Sequence, residues 1–315
     1  MKAVVIDRFG DVDVLRDEDV PVPEPGAGEL RVRVRAVGTN PVDTQNRANG
    51  SWARLTAPAI LGYDVAGTVD AISPGAGVFA PGDAVFYMSD FFDNRFGAYA
   101  EYHVAPASFV VRKPGALSFV EAAAVPLAGL TALQTLDRLR VAPGDALLVY
   151  GAAGGVGSFA VQIAVARGAL VVAVASRKHE PLLSRLGVRA TLDYRLASPA
   201  AAAAAAIGRQ LDAVADFAGQ GGIADALPVL RTGGSAASVV SLGSDLDLAI
   251  DRNVALHGVL VRPNRPGLLE LANLVERGAV KPVIRTVLPL TADGAKTAHF
   301  LLESGHGAGK IVLEA

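Results

Sequence analysis

The sequence predicts an α/β protein in two parts, a β-rich domain followed by a doubly wound parallel sheet of six strands. Three observations lead there. Runs such as Leu30-Arg31-Val32-Arg33-Val34-Arg35-Ala36-Val37 alternate apolar with charged residues, as a half-buried strand does. From about Ser118 the texture changes to helices alternating with wholly apolar strands, the pattern of a buried parallel sheet. Within that second part, Gly151-Ala152-Ala153-Gly154-Gly155-Val156-Gly157 separates an apolar strand from an apolar helix.

In chain order, residues 1–6 enter a strand directly, with neither a signal-peptide hydrophobic region nor a basic transit segment. Further strands are expected at 63–72, 84–88 and 98–104, separated by turn clusters such as Ser73-Pro74-Gly75 and Pro81-Gly82-Asp83. The six parallel strands are expected at 146–150, 170–175, 190–193, 213–217, 235–240 and 258–262, with a helix at 159–166 after the glycines. Beyond Pro263, a helix at 267–277 and strands at 283–288 and 310–314 are expected to rejoin the first domain. The expected partition is 1–120 with 264–315 in one domain and 121–263 in the other. The alanine tract 200–206 reads as a solvated part of a connecting helix.

Composition narrows the function. With 315 residues, 51% of them apolar, and a net charge of −2, the chain has length for a large core and no footprint of a nucleic-acid surface. A small-molecule partner is expected. There is no cysteine, which removes disulfides, iron–sulfur clusters and cysteine-ligated zinc. The five histidines show no pairing at metal-ligand spacing. Residues 146–166 carry no charge, but four central glycines argue for a buried strand, turn and helix rather than a membrane span. Cytoplasmic residence is the expectation.

Glycines suit a strand-to-helix turn that is tight, lets backbone approach a pyrophosphate, and seats the helix close to the sheet. The helix N-terminus then offers free N–H groups and partial positive charge to phosphate. This predicts a Rossmann nucleotide site at Gly154, Gly155, Val156 and Gly157; an ordinary turn is the alternative. No Gly-Lys-Ser/Thr follows, so a P-loop is excluded. The second apolar strand ends in Ser176-Arg177-Lys178, where a dinucleotide fold reads the adenosine ribose. An acidic tip would repel a 2′-phosphate; a hydroxyl and two cations favour NADPH, with a solvated basic turn as the alternative.

Longer motifs add a family. These are Asn40-Pro41-Val42-Asp43, Leu61-Gly62-Tyr63-Asp64-Val65-Ala66-Gly67, Gly97-Ala98-Tyr99-Ala100-Glu101-Tyr102, Ala123-Ala124-Val125-Pro126-Leu127-Ala128-Gly129-Leu130-Thr131-Ala132, the glycine run, and Gly305-His306 with Gly309-Lys310-Ile311-Val312-Leu313. In this order the chain resembles, nearly end to end, the zinc-independent, ζ-crystallin-like quinone oxidoreductase branch of the medium-chain dehydrogenase/reductases. It departs from that pattern at Gln45, where a tyrosine is common, and at Ala308, where an arginine is often found. Zinc alcohol dehydrogenases of the superfamily carry Gly-His-Glu where this chain has Gly62-Tyr63-Asp64.

The resemblance implies a β-rich, GroES-like catalytic domain beside the Rossmann sheet, and metal-free hydride transfer from NADPH to a quinone or an α,β-unsaturated carbonyl. Such substrates are activated enough to accept hydride without a Lewis acid. It places Asn40 and Tyr63 near the nicotinamide end, Asn40 holding cofactor or substrate and Tyr63 donating to a developing enolate. The alternatives are that Asn40 shapes the turn before Pro41, that Tyr63 packs, and that water supplies the proton. The expected cofactor set is completed by Thr131 near the nicotinamide or its phosphates, Tyr194 against the adenine or reaching the 2′-phosphate, with a plain sheet-edge tyrosine as the alternative, and Gly243 on the nicotinamide side. An exposed strand at 258–262 could pair two copies into a homodimer. A structural or regulatory NADPH binder is the competing function; a reductase of ordinary ketones is disfavoured, since no Tyr-x-x-x-Lys pair is present.

Overall fold

The structure is a computed structural model that describes every residue except Val78, Gln220 and Asp245. Its strands are β1 (Lys2–Ile6), β2 (Leu15–Asp19), β3 (Glu29–Gly38), β4 (Ala59–Ile60), β5 (Asp64–Ile72), β6 (Ala84–Met88), β7 (Tyr102–Pro106), β8 (Val111–Arg112), β9 (Ala146–Tyr150), β10 (Leu170–Ala175), β11 (Ala190–Asp193), β12 (Leu211–Asp216), β13 (Leu230–Ser238), β14 (Ala255–Gly258), β15 (Ile284–Pro289) and β16 (Lys310–Glu314). The helices that matter here are α1 (Pro41–Asn49), α2 (Pro126–Arg138), α3 (Gly155–Ala166), α4 (Pro199–Ile207), α5 (Arg265–Glu276) and α6 (Ala292–Glu303). Two compact units result. One comprises Met1–Leu130, Arg262–Glu276 and Pro282–Ala315; the other comprises Thr131–Val261 and Arg277–Lys281.

Strand β3 organises the first unit. Its alternation puts Leu30, Val32 and Val34 inside and leaves Arg33 and Arg35 exposed. Antiparallel pairing with β5 covers one edge, and the other edge is shared by β7 at Glu29 to Arg33 and β16 at Ala36 to Gly38. Strand β15 then adds parallel to β16, while β1, β2 and β4 form a separate small sheet. Where β3 ends, Asn40 caps α1, with Pro41 in the first turn and Asp43 reaching back to the Asn40 N–H at 2.7 Å.

The second unit is a parallel sheet in the order β11-β10-β9-β12-β13-β14. The chain runs outward from β9 through β10 to β11, then crosses to β12 and runs the other way. Ligands of such sheets bind at the carboxyl ends beside that reversal. Every residue of β9 is buried, and Leu148, Val172, Val174, Val214 and Ile223 share one core cluster.

Three expectations need correction. The alanine tract lies in a connecting helix, α4, and is exposed at Ala201, Ala205 and Ala206, but Ala200 and Ala203 are fully buried in that cluster, where their small side chains let the helix sit close to the sheet. The last parallel strand is Ala255–Gly258, not 258–262: Val259 N still bonds Ser238 O at 2.9 Å, after which the chain leaves the ladder. Val261 is buried outside the sheet, so its apolarity marks burial and not a strand. Residues 98–99 bond instead to the Leu61–Gly62 backbone, and the regular ladder of β7 begins at Tyr102. Among the described residues no helix is long and apolar enough to cross a membrane.

Candidate functional site

In the second unit, β9 ends at Tyr150 and α3 begins at Gly155. Gly151 takes a φ of +69°, a left-handed conformation that favours glycine. Gly157 is required by space: a Cβ there would stand 2.2 Å from Gly151 O and 2.7 Å from Ala152 Cα. Gly154 is the extended N-cap, its N–H bonded to Gly151 O at 3.0 Å, and Ser158 N bonds Gly154 O at 3.0 Å to open the helical ladder. The first-turn N–H groups at Gly155, Val156 and Gly157 precede that ladder and have no intrahelical acceptor. Together with the helix dipole they make an anion cradle that fits a pyrophosphate.

At the tip of β10, Ser176 is half-buried and caps a single helical turn at Arg177–His179, with Arg177 and Lys178 exposed. Beside it stands a carboxylate that sequence reasoning missed. The β10–β11 register sets Asp193 level with Ala175, beside the tip of β10. The Arg195 guanidinium grips Asp193 at 2.9 and 2.7 Å, and the Arg195 backbone N–H adds a bond at 2.9 Å. This pairing, above all, holds Asp193 well below the usual carboxylate range. Tyr194 is half exposed, its ring centroid 5.9 Å from the Arg195 guanidinium carbon. Gly243 has a φ of +79° with open space around a would-be Cβ. Thr131 is buried, its carbonyl accepting from Thr135 Oγ1 at 2.7 Å.

The first unit holds a buried polar cluster. Asp64 is fully buried. Its Oδ2 accepts from Asn40 Nδ2 at 2.9 Å and from Lys310 Nζ at 3.1 Å, and its Oδ1 accepts from Leu127 N at 2.6 Å. Lys310 Nζ also donates to Thr39 O at 2.8 Å and to Asn40 Oδ1. Both edges of the Asn40 amide are therefore committed inside the protein. Burial pushes the Asp64 carboxyl upward and the Lys310 charge pulls it back.

A directed hydrogen-bond chain adjoins it. Arg47 can only donate, so His299 Nδ1, 3.2 Å from Arg47 Nη1, must accept. Burial first, and Arg47 second, lower His299 to about 3, so the ring is neutral and carries its proton on Nε2. That N–H donates to Tyr99 Oη at 3.2 Å, and Tyr99 donates to Asp43 Oδ2 at 3.2 Å. Arg47 is anchored at its far edge by Glu303 at 2.5 Å. Burial raises Asp43 to about 7 against the Asn40 N–H and Lys310. The other Asp43 oxygen and Asn46 Oδ1 are buried without a partner.

Tyr63 has no exposed surface, and its hydroxyl accepts from Asn46 Nδ2 at 2.7 Å. Burial, then the Asp43 charge, pushes the phenol above its ordinary range. Its ring meets Phe91 edge-on at 5.8 Å, and Phe91, Phe92 and Trp52 continue the aromatic run at 4.9 to 5.7 Å toward the half-exposed Trp52. The guanidinium groups of Arg262 and Arg54 lie 4.5 and 5.6 Å from the Phe92 centroid. Asp64, Lys310, Tyr99, His299 and Arg47 escaped sequence reasoning as site residues. The available signal was a charged residue inside an apolar run, at Asp64 and at Lys310.

Two family descriptions match: an alcohol dehydrogenase GroES-like domain over residues 26–115 and a zinc-binding dehydrogenase over residues 186–313. Among the described residues, no three His, Cys, Asp or Glu side chains are grouped to hold a metal ion. The 2-methylene-furan-3-one reductase of Solanum lycopersicum is 33% identical, over 99% of this chain and 79% of its own. A quinone oxidoreductase from Coxiella burnetii superposes with a TM-score of 0.88 at 33% identity, covering 100% of this chain and 99% of that one. An NAD-dependent alcohol dehydrogenase reaches 0.91 at 35%, with 100% of both chains covered. With the fold shared end to end and a third of the residues identical, this chain is an oxidoreductase of the medium-chain dehydrogenase/reductase superfamily and belongs to its ζ-crystallin-like quinone oxidoreductase branch.

Proposed function

We propose that this oxidoreductase reduces a quinone or an α,β-unsaturated carbonyl with NADPH, without a metal ion. The observation that carries the cofactor choice is the exposed Arg177 and Lys178 pair at the tip of β10, next to the glycine turn. Relatives named for an enone and for a quinone support the substrate class. Relatives differ in cofactor, one being named NAD-dependent, so the choice is read from this chain's own residues.

When bound, the nicotinamide supplies a hydride to the electron-poor carbon of the substrate; a proton completes the reduction. Gly154, Gly155, Val156 and Gly157 hold the pyrophosphate through main-chain N–H groups, while Ser176, Arg177, Lys178 and Tyr194 hold the adenosine 2′-phosphate. Thr131 and Gly243 line the nicotinamide side. Asn40, locked by Asp64 and Lys310, shapes the chain before Pro41. Tyr63 is sealed from solvent, which favours water as the proton source over its phenol. The reading includes a small-molecule substrate, the cytoplasm, and a homodimer formed along β14, an edge strand.

The test is oxidation of NADPH and NADH with quinones, enals and enones, together with fluorescence titration of wild type, Arg177→Ala and Lys178→Ala. A lost charge-assisted phosphate bond weakens NADPH roughly ten- to a hundredfold and leaves NADH unchanged. Equal losses for both cofactors, or a wild type preferring NADH, would overturn the NADPH reading. Tight NADPH binding with no turnover on any acceptor would make the protein a binder.

A further inference from the structure

We propose that Arg195 is a cofactor-specificity residue that acts by neutralising Asp193, keeping the tip of β10 open to a phosphate. This rests on the NADPH reading above.

Dinucleotide sites that select NAD place a carboxylate at the end of the second strand, where it accepts the ribose hydroxyls and repels a 2′-phosphate. Here β10 itself ends without one. Strand pairing nevertheless supplies Asp193 from β11, level with Ala175 and so one residue short of Ser176. The carboxylate is fixed there: its side chain is 13% exposed, and its Oδ1 accepts the backbone N–H of Arg195 at 2.9 Å. Left bare, it would place a negative charge within a few ångströms of that phosphate, too close for salt to screen.

Arg195 removes the charge. Its Nε reaches Asp193 Oδ1 at 2.9 Å and its Nη2 reaches Oδ2 at 2.7 Å, a two-pronged pairing that occupies both oxygens. The Arg195 side chain is 68% exposed, and its guanidinium carbon lies 5.9 Å from the Tyr194 ring centroid. A cation that never deprotonates thus converts an NAD-type carboxylate into a neutral scaffold.

The experiment is a double-mutant cycle read by fluorescence titration of NADPH and NADH. Arg195→Ala should weaken NADPH roughly five- to thirtyfold, as a unit charge near a phosphate does at intermediate dielectric, and leave NADH within about twofold. Asp193→Asn removes the charge and keeps an acceptor for the backbone N–H of residue 195, so the double variant Asp193→Asn with Arg195→Ala should return NADPH to within about threefold of wild type. Arg195→Lys, which keeps the charge, should stay within the same range. A double variant as weak as Arg195→Ala alone would show that Arg195 grips the phosphate directly, and the neutralisation proposal falls. Equal weakening of both cofactors by Arg195→Ala also overturns it, with the NADPH reading intact. A wild type that prefers NADH instead sinks the NADPH reading, and this proposal with it.

Discussion

At Gly151–Gly157, seven consecutive residues shape an anion cradle from main chain alone, whereas the cluster around Asp64 needs side chains from positions 40, 64 and 310. The first tolerates nothing larger than hydrogen at Gly157, because the obstructing atoms are backbone and cannot move aside. The second buries a carboxylate and an ammonium whose charges are acceptable only together. One region is thus intolerant of volume, and the other of unpaired charge.

Substitutions that separate volume from charge sharpen that contrast. The largest effect is expected from Lys310→Met, which leaves Asp64 buried without its cation and should cost about 3–5 kcal/mol in urea unfolding. Adding Asp64→Asn should recover a good part of the loss, since no charge is then stranded; a double variant no better than the single would mean that Lys310 acts by packing. Next is Gly157→Ala, which should cost about 1–3 kcal/mol and weaken NADPH, the added methyl colliding with Gly151 O. Gly243→Ala is its control: the φ of +79° is strained for alanine, but the space is open, so about 1 kcal/mol is expected. If Gly157→Ala proves no more costly than Gly243→Ala, the backbone around Gly151 yields to the added methyl and collision does not govern the glycine turn.

The last effect is a pH dependence, read as a slope and not as a total. Asp43 has an ordinary value of 3.8 and sits at about 7 in the fold. Between those values the native state binds more protons at this site than the unfolded chain, so its contribution to stability is present below about pH 4 and is lost as pH rises through 7. Asp43→Asn should therefore gain on wild type over that window, by at most ~1.4 kcal/mol per pH unit. Parallel stability curves for the two proteins would place Asp43 outside this linkage.

Legibility in the sequence followed locality. Strands β9, β10 and β11 were readable because their apolar runs coincide with their pairing, while Val261, apolar for burial alone, drew the last parallel strand too far along the chain. The glycine turn and Ser176-Arg177-Lys178 were readable because spacing along the chain is their geometry. Asp193 is invisible to any rule that reads only the tip of β10, because its carboxylate comes from the neighbouring strand. Lys310 and Asp64 are 246 residues apart. No spacing rule joins them, and only the closure of β16 onto β3 brings them together.

That closure also orders the birth of the molecule. Strand β16 docks on β3 through Val312, Leu313 and Glu314, and Thr39 Oγ1 donates to Ile311 O at 3.0 Å across 272 positions of chain. A nascent polypeptide extends from its amino end, so the segment Thr131–Val261, which holds all six strands of the parallel sheet, is synthesised before β16 exists. Until then the edge of β3 at Ala36 to Gly38 waits unpaired, and the ammonium that neutralises Asp64 has yet to be synthesised.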